Sequence, residues 1–280
     1  MTEYLSGAQA IADARLRVRG LPPQQGVLLL EGRDDVRLFG PHSFGLETVI
    51  PCGSKPKLLD AYSRIRPGEE RLFLFIADCD YDVPAGKLAP SRNLVLTTNV
   101  DVETDLLDLG LLDRLVLETV PSAVVSETHL ASLSSEVLSR SVALAEAIGQ
   151  LRQVSAVEGL GLSFDGLRYH RYRSRGEVTA DRAKLAKVTR EHAGEPVNID
   201  PGGLETRAAA IPGGLRVCHG KDLIGAIAAV LHEDYGVPAE QLRFLPSLLR
   251  TAVDSGVLTR WALVRRIRRW ETQTGRRVLR

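Results

Sequence analysis

The 280-residue chain carries 36 Lys and Arg against 35 Asp and Glu, a net charge of +1, with 44% hydrophobic and 25% charged residues. That balance excludes a disordered chain, and no apolar run reaches the length of a membrane-spanning helix. The length exceeds the usual single domain, so it predicts one α/β core with a sizeable accessory region, or two domains.

The first twenty residues mix Glu3, Asp13, Arg15, Arg17 and Arg19 with short apolar residues and lack the hydrophobic block of a secretion signal. Cytoplasmic residence is the expectation, with no membrane partner. Cys52, Cys79 and Cys218 are widely spaced and form no Cys-x-x-Cys pair, so they read as small buried residues in a reducing compartment rather than a disulfide framework or zinc ribbon. Charge is uneven: residues 260–280 hold eight Arg against one Glu, a local +7, which leaves −6 on the other 259 residues. An acidic body with a basic tail suggests polyanion contact through the tail.

Short apolar runs alternate with helical periods over the first hundred residues, as in a parallel sheet covered by helices. Val27 to Leu30, after Pro22-Pro23 and Gly26, suits a central strand buried on both faces. Thr48 to Pro51, Leu72 to Ala77 and Asn93 to Thr97 supply three further strands. Between them, Asp34 to Phe39 begins one helix, and Lys57 to Ile65 places Leu58, Leu59, Tyr62 and Ile65 on one face of another before Pro67-Gly68. A helix through Val102 to Leu115 follows, and crossover handedness then predicts a compact doubly wound sheet. Ser122 to Val157 reads as mainly helical, Leu167 to Ser174 as a strand, Thr179 to His192 as a polar helix and Gly194 to Gly214 as loop-rich. Leu215 to His219 reads as a short strand leading to a helix at Asp222 to His232, and the chain after Pro238 as helical. The resulting division is residues 1–118, 119–259 and 260–280: an α/β catalytic domain, a mainly helical accessory region and a basic amphipathic tail helix.

Open α/β sheets bind ligands beyond the carboxyl ends of their strands. The first strand ends in Glu31-Gly32 with Asp34-Asp35 beyond, and the third ends in Asp78-Cys79-Asp80-Tyr81-Asp82. In extended geometry residues i and i+2 project the same way, so Asp78 and Asp80 would present two carboxylates to one cation. Mg²⁺, with Mn²⁺ as a substitute, uses one or two protein carboxylates and leaves its other positions to water and phosphate. Glu31 would complete the site or act as general acid or base. Asp35 and Asp82 are further metal candidates; the competing reading for them and for Asp34 is a helix N-cap.

Glu-Gly after the first strand and Asp-x-Asp after the third resemble the Toprim domain of topoisomerases, primases and several nucleases. Cys52-Gly53-Ser54-Lys55, Val102-Glu103-Thr104-Asp105-Leu106-Leu107 and Gly220-Lys221-Asp222-Leu223 add agreement. Together they look like the standalone Toprim-like proteins related to OLD-type nucleases, including the nuclease subunit of the PARIS phage-defence system. The resemblance covers roughly residues 25–115 on domain-size grounds. It implies a Toprim-like, Rossmann-like sheet and metal-dependent cleavage of DNA or RNA, including tRNA, often licensed by an AAA- or ABC-type ATPase that senses infection. By that analogy Glu31 is the acid or base, Asp78 and Asp80 are metal ligands, and Glu103 contributes a further carboxylate. Lys55 and Lys221 are candidates for holding the scissile phosphate; the competing reading is a solvated lysine at a helix start.

Arg168, Tyr169, Arg171, Tyr172 and Arg173 interleave cations with stacking faces, which suits unpaired bases; an edge strand with inward Tyr and wet Arg is the competing picture. In the tail, Leu263, Ile267 and Trp270 form one stripe flanked by Arg265, Arg266, Arg268 and Arg269. A nucleic-acid ridge, an ATPase-facing surface and a solvated face are all open for it, and a homodimer is open for the chain as a whole. Two other functions compete with the nuclease. One is a haloacid-dehalogenase-like phosphatase using Asp78 as nucleophile; the other is a non-catalytic Toprim-like subunit that holds nucleic acid or an ATPase.

Overall fold

The computed structural model describes residues 6–121, 129–164, 179–191 and 200–280. The chain forms two compact units, one of Met1–Asp78, Ala89–Thr98 and Val253–Arg280, the other of Cys79–Leu88 and Asn99–Ala252.

The first unit is built on a four-stranded, all-parallel sheet of β1 (Val27–Leu30), β2 (Val49–Pro51), β3 (Phe73–Ala77) and β4 (Leu94–Leu96), in the order β2-β1-β3-β4. All four residues of β1 and all five of β3 are buried, because both faces of a central parallel strand are covered and alternation is lost. Each of their Val, Leu, Ile and Phe side chains contributes roughly 1.5–3 kcal/mol of burial. The strands are one or two residues shorter than the apolar runs suggested for β2, β3 and β4. Two crossovers carry α2 (Arg33–Phe39) and α3 (Lys55–Ser63), as expected of a doubly wound sheet.

The helix α1 (Gly7–Gly20) was not legible in the sequence, since its buried stripe is mostly small: Gly7, Ala10, Ile11 and Ala14. Ser6 and Gln9 close a reciprocal capping box at its start. Small residues let it approach α3 closely: a Cβ on Gly7 would sit 2.6 Å from the Lys57 carbonyl oxygen and 2.7 Å from the Ala61 nitrogen.

The C-terminal segment belongs to this same unit, as α12 (Ser255–Arg260), α13 (Ala262–Thr274) and a short return. Leu263, Ile267 and Trp270 are buried, so the stripe read from the sequence is a packing face. Trp261 stacks on Phe39 with centroids 5.7 Å apart, and the Trp270 indole N–H donates to the Glu70 carbonyl. The return pairs Arg277 with Gln25 and Leu279 with Ser43 through isolated bridges. Buried Glu271 organises this end. Its Oε1 accepts from the Val278 and Leu279 N–H groups at 2.8 and 3.0 Å, and its Oε2 pairs with Arg268 at 2.8 Å.

The second unit is helical. The expected single helix from Val102 to Leu115 is two, α4 (Val102–Asp108) and α5 (Leu112–Thr119), because Gly110 at φ +84° ends the first in a left-handed turn. The 29-residue α6 (Leu130–Glu158) is the long helix read after residue 122, and α7 (Arg182–Glu191) is the polar one. The stretch taken as loop contains α8 (Pro201–Ala209): Asp200 caps it through Gly203 N–H, and Pro201 fills the first position, where a missing N–H costs nothing. Leu215–Val217 is a single 3-10 turn rather than a strand. It leads into α9 (Gly220–Tyr235), then α10 (Ala239–Leu242) and α11 (Leu245–Thr251). The strand expected at 167–174 lies outside the described residues, as do Arg168, Tyr169, Arg171, Tyr172 and Arg173. Among the described residues, no helix is long and apolar enough to cross a membrane.

Removing the Glu271 carboxylate leaves two buried N–H groups without an acceptor. Glu271→Ala is expected to lower stability by about 2–4 kcal/mol, read as a shift of the denaturant midpoint with an unchanged slope.

Candidate functional site

Glu31 follows the last residue of β1 and occupies the middle of the sheet's carboxyl edge. Its carbonyl accepts from the Gly53 N–H beyond β2 at 2.7 Å, and its side-chain Oε1 accepts from the Asp78 N–H beyond β3 at 2.8 Å. The residue thus ties together the ends of three neighbouring strands. An ionised carboxylate has about four lone-pair sites, so one N–H bond orients it without exhausting it. Glu31 and Asp78 are each half-buried and each engaged by neighbouring groups.

Cys52 lies buried beside this edge. Burial, and then the Glu31 charge, push its thiol up to about 12, so it remains protonated at neutral pH and is no thiolate ligand. Asp35 has a local role: its Oδ2 accepts from the Gly32 N–H at 2.8 Å, closing the start of α2. Asp34 pairs with Arg37 at 3.0 Å. Neither is the N-cap of α2, which is Gly32; Asp35 is the third helical residue, bonding back to it, and Asp34 is a first-turn acid. Lys55 is the first residue of α3, half-buried and engaged by neighbouring groups.

The run after β3 departs from the extended geometry on which the pairing of Asp78 with Asp80 rested. Asp80 has φ +46°, in the left-handed region that Asp tolerates better than most residues. Its N–H donates to the Val100 carbonyl, and Asp82 opens a tight turn whose Lys87 N–H returns to the Asp82 carbonyl at 2.8 Å. Asp80 and Asp82 belong to the second unit, Glu31 and Asp78 to the first.

Within the second unit, the Val-Glu-Thr-Asp and Gly-Lys-Asp elements, more than a hundred residues apart, meet. Asp101 caps α4, its Oδ1 accepting from the Thr104 N–H and hydroxyl at 2.9 and 2.7 Å, while its Oδ2 accepts from the Gly220 N–H at 2.6 Å. His219 Nδ1 stands 3.5 Å from the same Oδ2. Burial raises the Asp101 carboxyl above the usual range, against the opposing pull of His219. Glycine is required at 220, where a Cβ would lie 2.5 Å from Asp101 Oδ1 and 2.6 Å from Glu103 Cβ. Glu103 is half-buried and ion-paired with Arg250 of α11, and Lys221 is exposed at the start of α9. Asp222 pairs with Arg152 at 2.8 Å.

Asp101, His219 and Arg250 were not singled out in the sequence. An Asp directly before a periodic segment is an N-cap signal and could have flagged Asp101. Nothing local could have flagged Arg250, since its relation to Glu103 spans 147 residues.

Among the described residues, no group of three or more His, Cys, Asp or Glu side chains is arranged to hold a metal ion. The hard-oxygen pair Glu31 and Asp78, at the ends of adjacent strands, still fits Mg²⁺, which commonly takes only one or two protein carboxylates. Compared with family models, with curated proteins and with solved structures, the chain matches none.

Two outcomes follow. Gly220→Ala is expected to cost roughly 2–4 kcal/mol in thermal or chemical unfolding, since the new methyl meets a carboxylate and a helix side chain. With its folded-state pKa raised, Cys52 contributes stability that is intact below about pH 8.5, the unfolded value, and falls away as pH rises toward 12. Iodoacetamide at pH 8 should therefore leave Cys52 unmodified until denaturant is added, as read by peptide mass.

Proposed function

We propose that the chain is a metal-dependent, Toprim-type phosphodiesterase acting on nucleic acid, with Glu31 and Asp78 at its centre. The observation that carries this reading is the Glu31 side chain held by the Asp78 N–H at the carboxyl edge of a parallel sheet. That edge is where open α/β sheets place their chemistry. Two acids on adjacent strand ends suit Mg²⁺ or Mn²⁺, which would polarise a phosphoryl oxygen and lower the pKa of an attacking water.

The chain's own contributions are distinct from that. The Asp78 N–H orients Glu31, which by its position would take a proton from the attacking water or hold a ligand oxygen. Lys55 remains a proposal for a cation beside the two acids, and a companion ATPase remains a proposal for control of the site. The phosphatase reading needs Asp78 as a nucleophile and gives Glu31 no task, whereas the Glu31–Asp78 contact makes the two residues one arrangement.

The test incubates the full chain with duplex DNA, single-stranded DNA and tRNA in Mg²⁺ or Mn²⁺, with and without any ATPase encoded beside it. Cleavage is expected, abolished by EDTA and lowered at least ~100-fold by Glu31→Gln or Asp78→Asn, the usual scale for losing a metal or acid–base contribution. Cleavage untouched by Glu31→Gln, or a covalent phosphoryl group on Asp78, would overturn the reading.

A further inference from the structure

The basic tail helix has a feature that the carboxylate site does not use. Between α13 and the outer edge of the sheet lies a cleft of about 420 Å³, lined chiefly by Arg92, Leu94, Val95, Arg266, Arg269 and Trp270. Strand β4 is an edge of the sheet, and Arg266 caps it by donating to the Leu96 carbonyl at 2.6 Å and to the Thr98 hydroxyl at 3.4 Å. Arg92, in the loop before β4, donates to the Gln273 carbonyl at 3.0 Å.

Arg268 pairs with Glu271, Arg265 and Arg276 donate to the Arg260 and Gln25 carbonyls, and Arg277 lies over the Phe44 ring. Arg92, Arg266 and Arg269 share one cleft. Arg92 and Arg266 are bonded only to neutral oxygens, Arg269 is exposed, and among the described residues none of the three is ion-paired with a carboxylate. Among the described residues, no Asp or Glu lines the cleft. Three cations around one cavity repel one another unless an anion sits among them.

Leu94, Val95 and Trp270 floor the cleft but are almost wholly buried, and the apolar surface open to it is the Pro90 ring with the arginine stems. Guanidinium groups bind phosphate and stack on flat rings, so exposed arginines beside Pro90 match a ligand with a phosphate at one end and a flat ring at the other. The volume falls within the range of small-ligand pockets, roughly 300–1,000 Å³, and so suits one nucleotide rather than a duplex.

We propose that the cleft between β4 and α13 is a binding site for a single nucleotide unit, its phosphate held by Arg92 and Arg269 and its base set against Pro90. The unit is either a free nucleoside monophosphate or one residue of a single strand. The site is separate from Glu31 and Asp78, and the proposal does not rest on the nuclease reading.

Arg266 supports the sheet edge, so Arg92 and Arg269 are the positions to change. The full chain is titrated at low salt with inorganic phosphate, thymidine monophosphate and a short oligothymidylate, followed by calorimetry and by tryptophan fluorescence, which Trp270 reports. Both nucleotides are expected to bind more tightly than phosphate. Binding should fall at least tenfold in the Arg92→Gln, Arg269→Gln double variant, persist within a few-fold when both are changed to Lys, and be unchanged in Glu31→Gln. Equal affinity for monophosphate and oligomer assigns the site to a free nucleotide, and a preference for the oligomer assigns it to a strand. The proposal is overturned if the parent binds neither nucleotide. It is equally overturned if the Gln variant binds like the parent, or if Arg19→Gln with Arg71→Gln, two exposed arginines elsewhere, weakens binding as much.

Discussion

The pairing of β1 between two parallel neighbours is the constraint on which the first unit depends. Val27–Leu30 has no polar residue and no exposed atom face, so it is stable only when covered on both sides and bonded on both edges. Parallel pairing on both edges then brings the ends of β1, β2 and β3 to one rim. Because Glu31 is the next residue after β1, its backbone reaches the end of β2 and its side chain the end of β3. A carboxylate at the centre of such a rim is oriented by the main chain of its neighbours, a more rigid support than another side chain would provide.

The opposite flank of the sheet solves a different problem. An edge strand exposes unpaired N–H and C=O groups, and β4 is protected by α13, with Arg266 satisfying a strand carbonyl. The helix stays in place because the chain continues beyond it and returns: Glu271 gathers the Val278 and Leu279 N–H groups, and the return bridges to residues 25 and 43. The N- and C-terminal portions are therefore one cooperative structure. The surplus of arginine in the last 21 residues serves this packing in part, through carbonyl, carboxylate and ring contacts.

In the second unit the close approach of α4 and α9 is set by a single small residue. Gly220 lets the start of α9 sit against Asp101 and Glu103, and the buried Asp101 carboxylate is satisfied by N–H groups from both helices. Glu103 is meanwhile balanced by Arg250. Acidic residues that look alike in the sequence thus have different work: Asp35, Asp101 and Asp200 satisfy helix N-termini, Asp222 and Glu103 are ion-paired, and Glu31 holds the sheet rim.

The sequence by itself determined the parallel α/β core, the four strands to within two residues, the two crossover helices and the acids that end β1 and β3. It could do so because hydrophobic period and strand-end position are local properties. It also located the apolar stripe of α13. Only the tertiary structure decided that Asp80 leaves the extended path, that residues 102–119 break into two helices at Gly110, that Asp101 and Gly220 meet, and that Arg92 joins Arg266 and Arg269 around one cleft. Each of these depends on contacts between residues far apart in the chain, or on a backbone angle that side-chain pattern does not encode, and no local period carries that information.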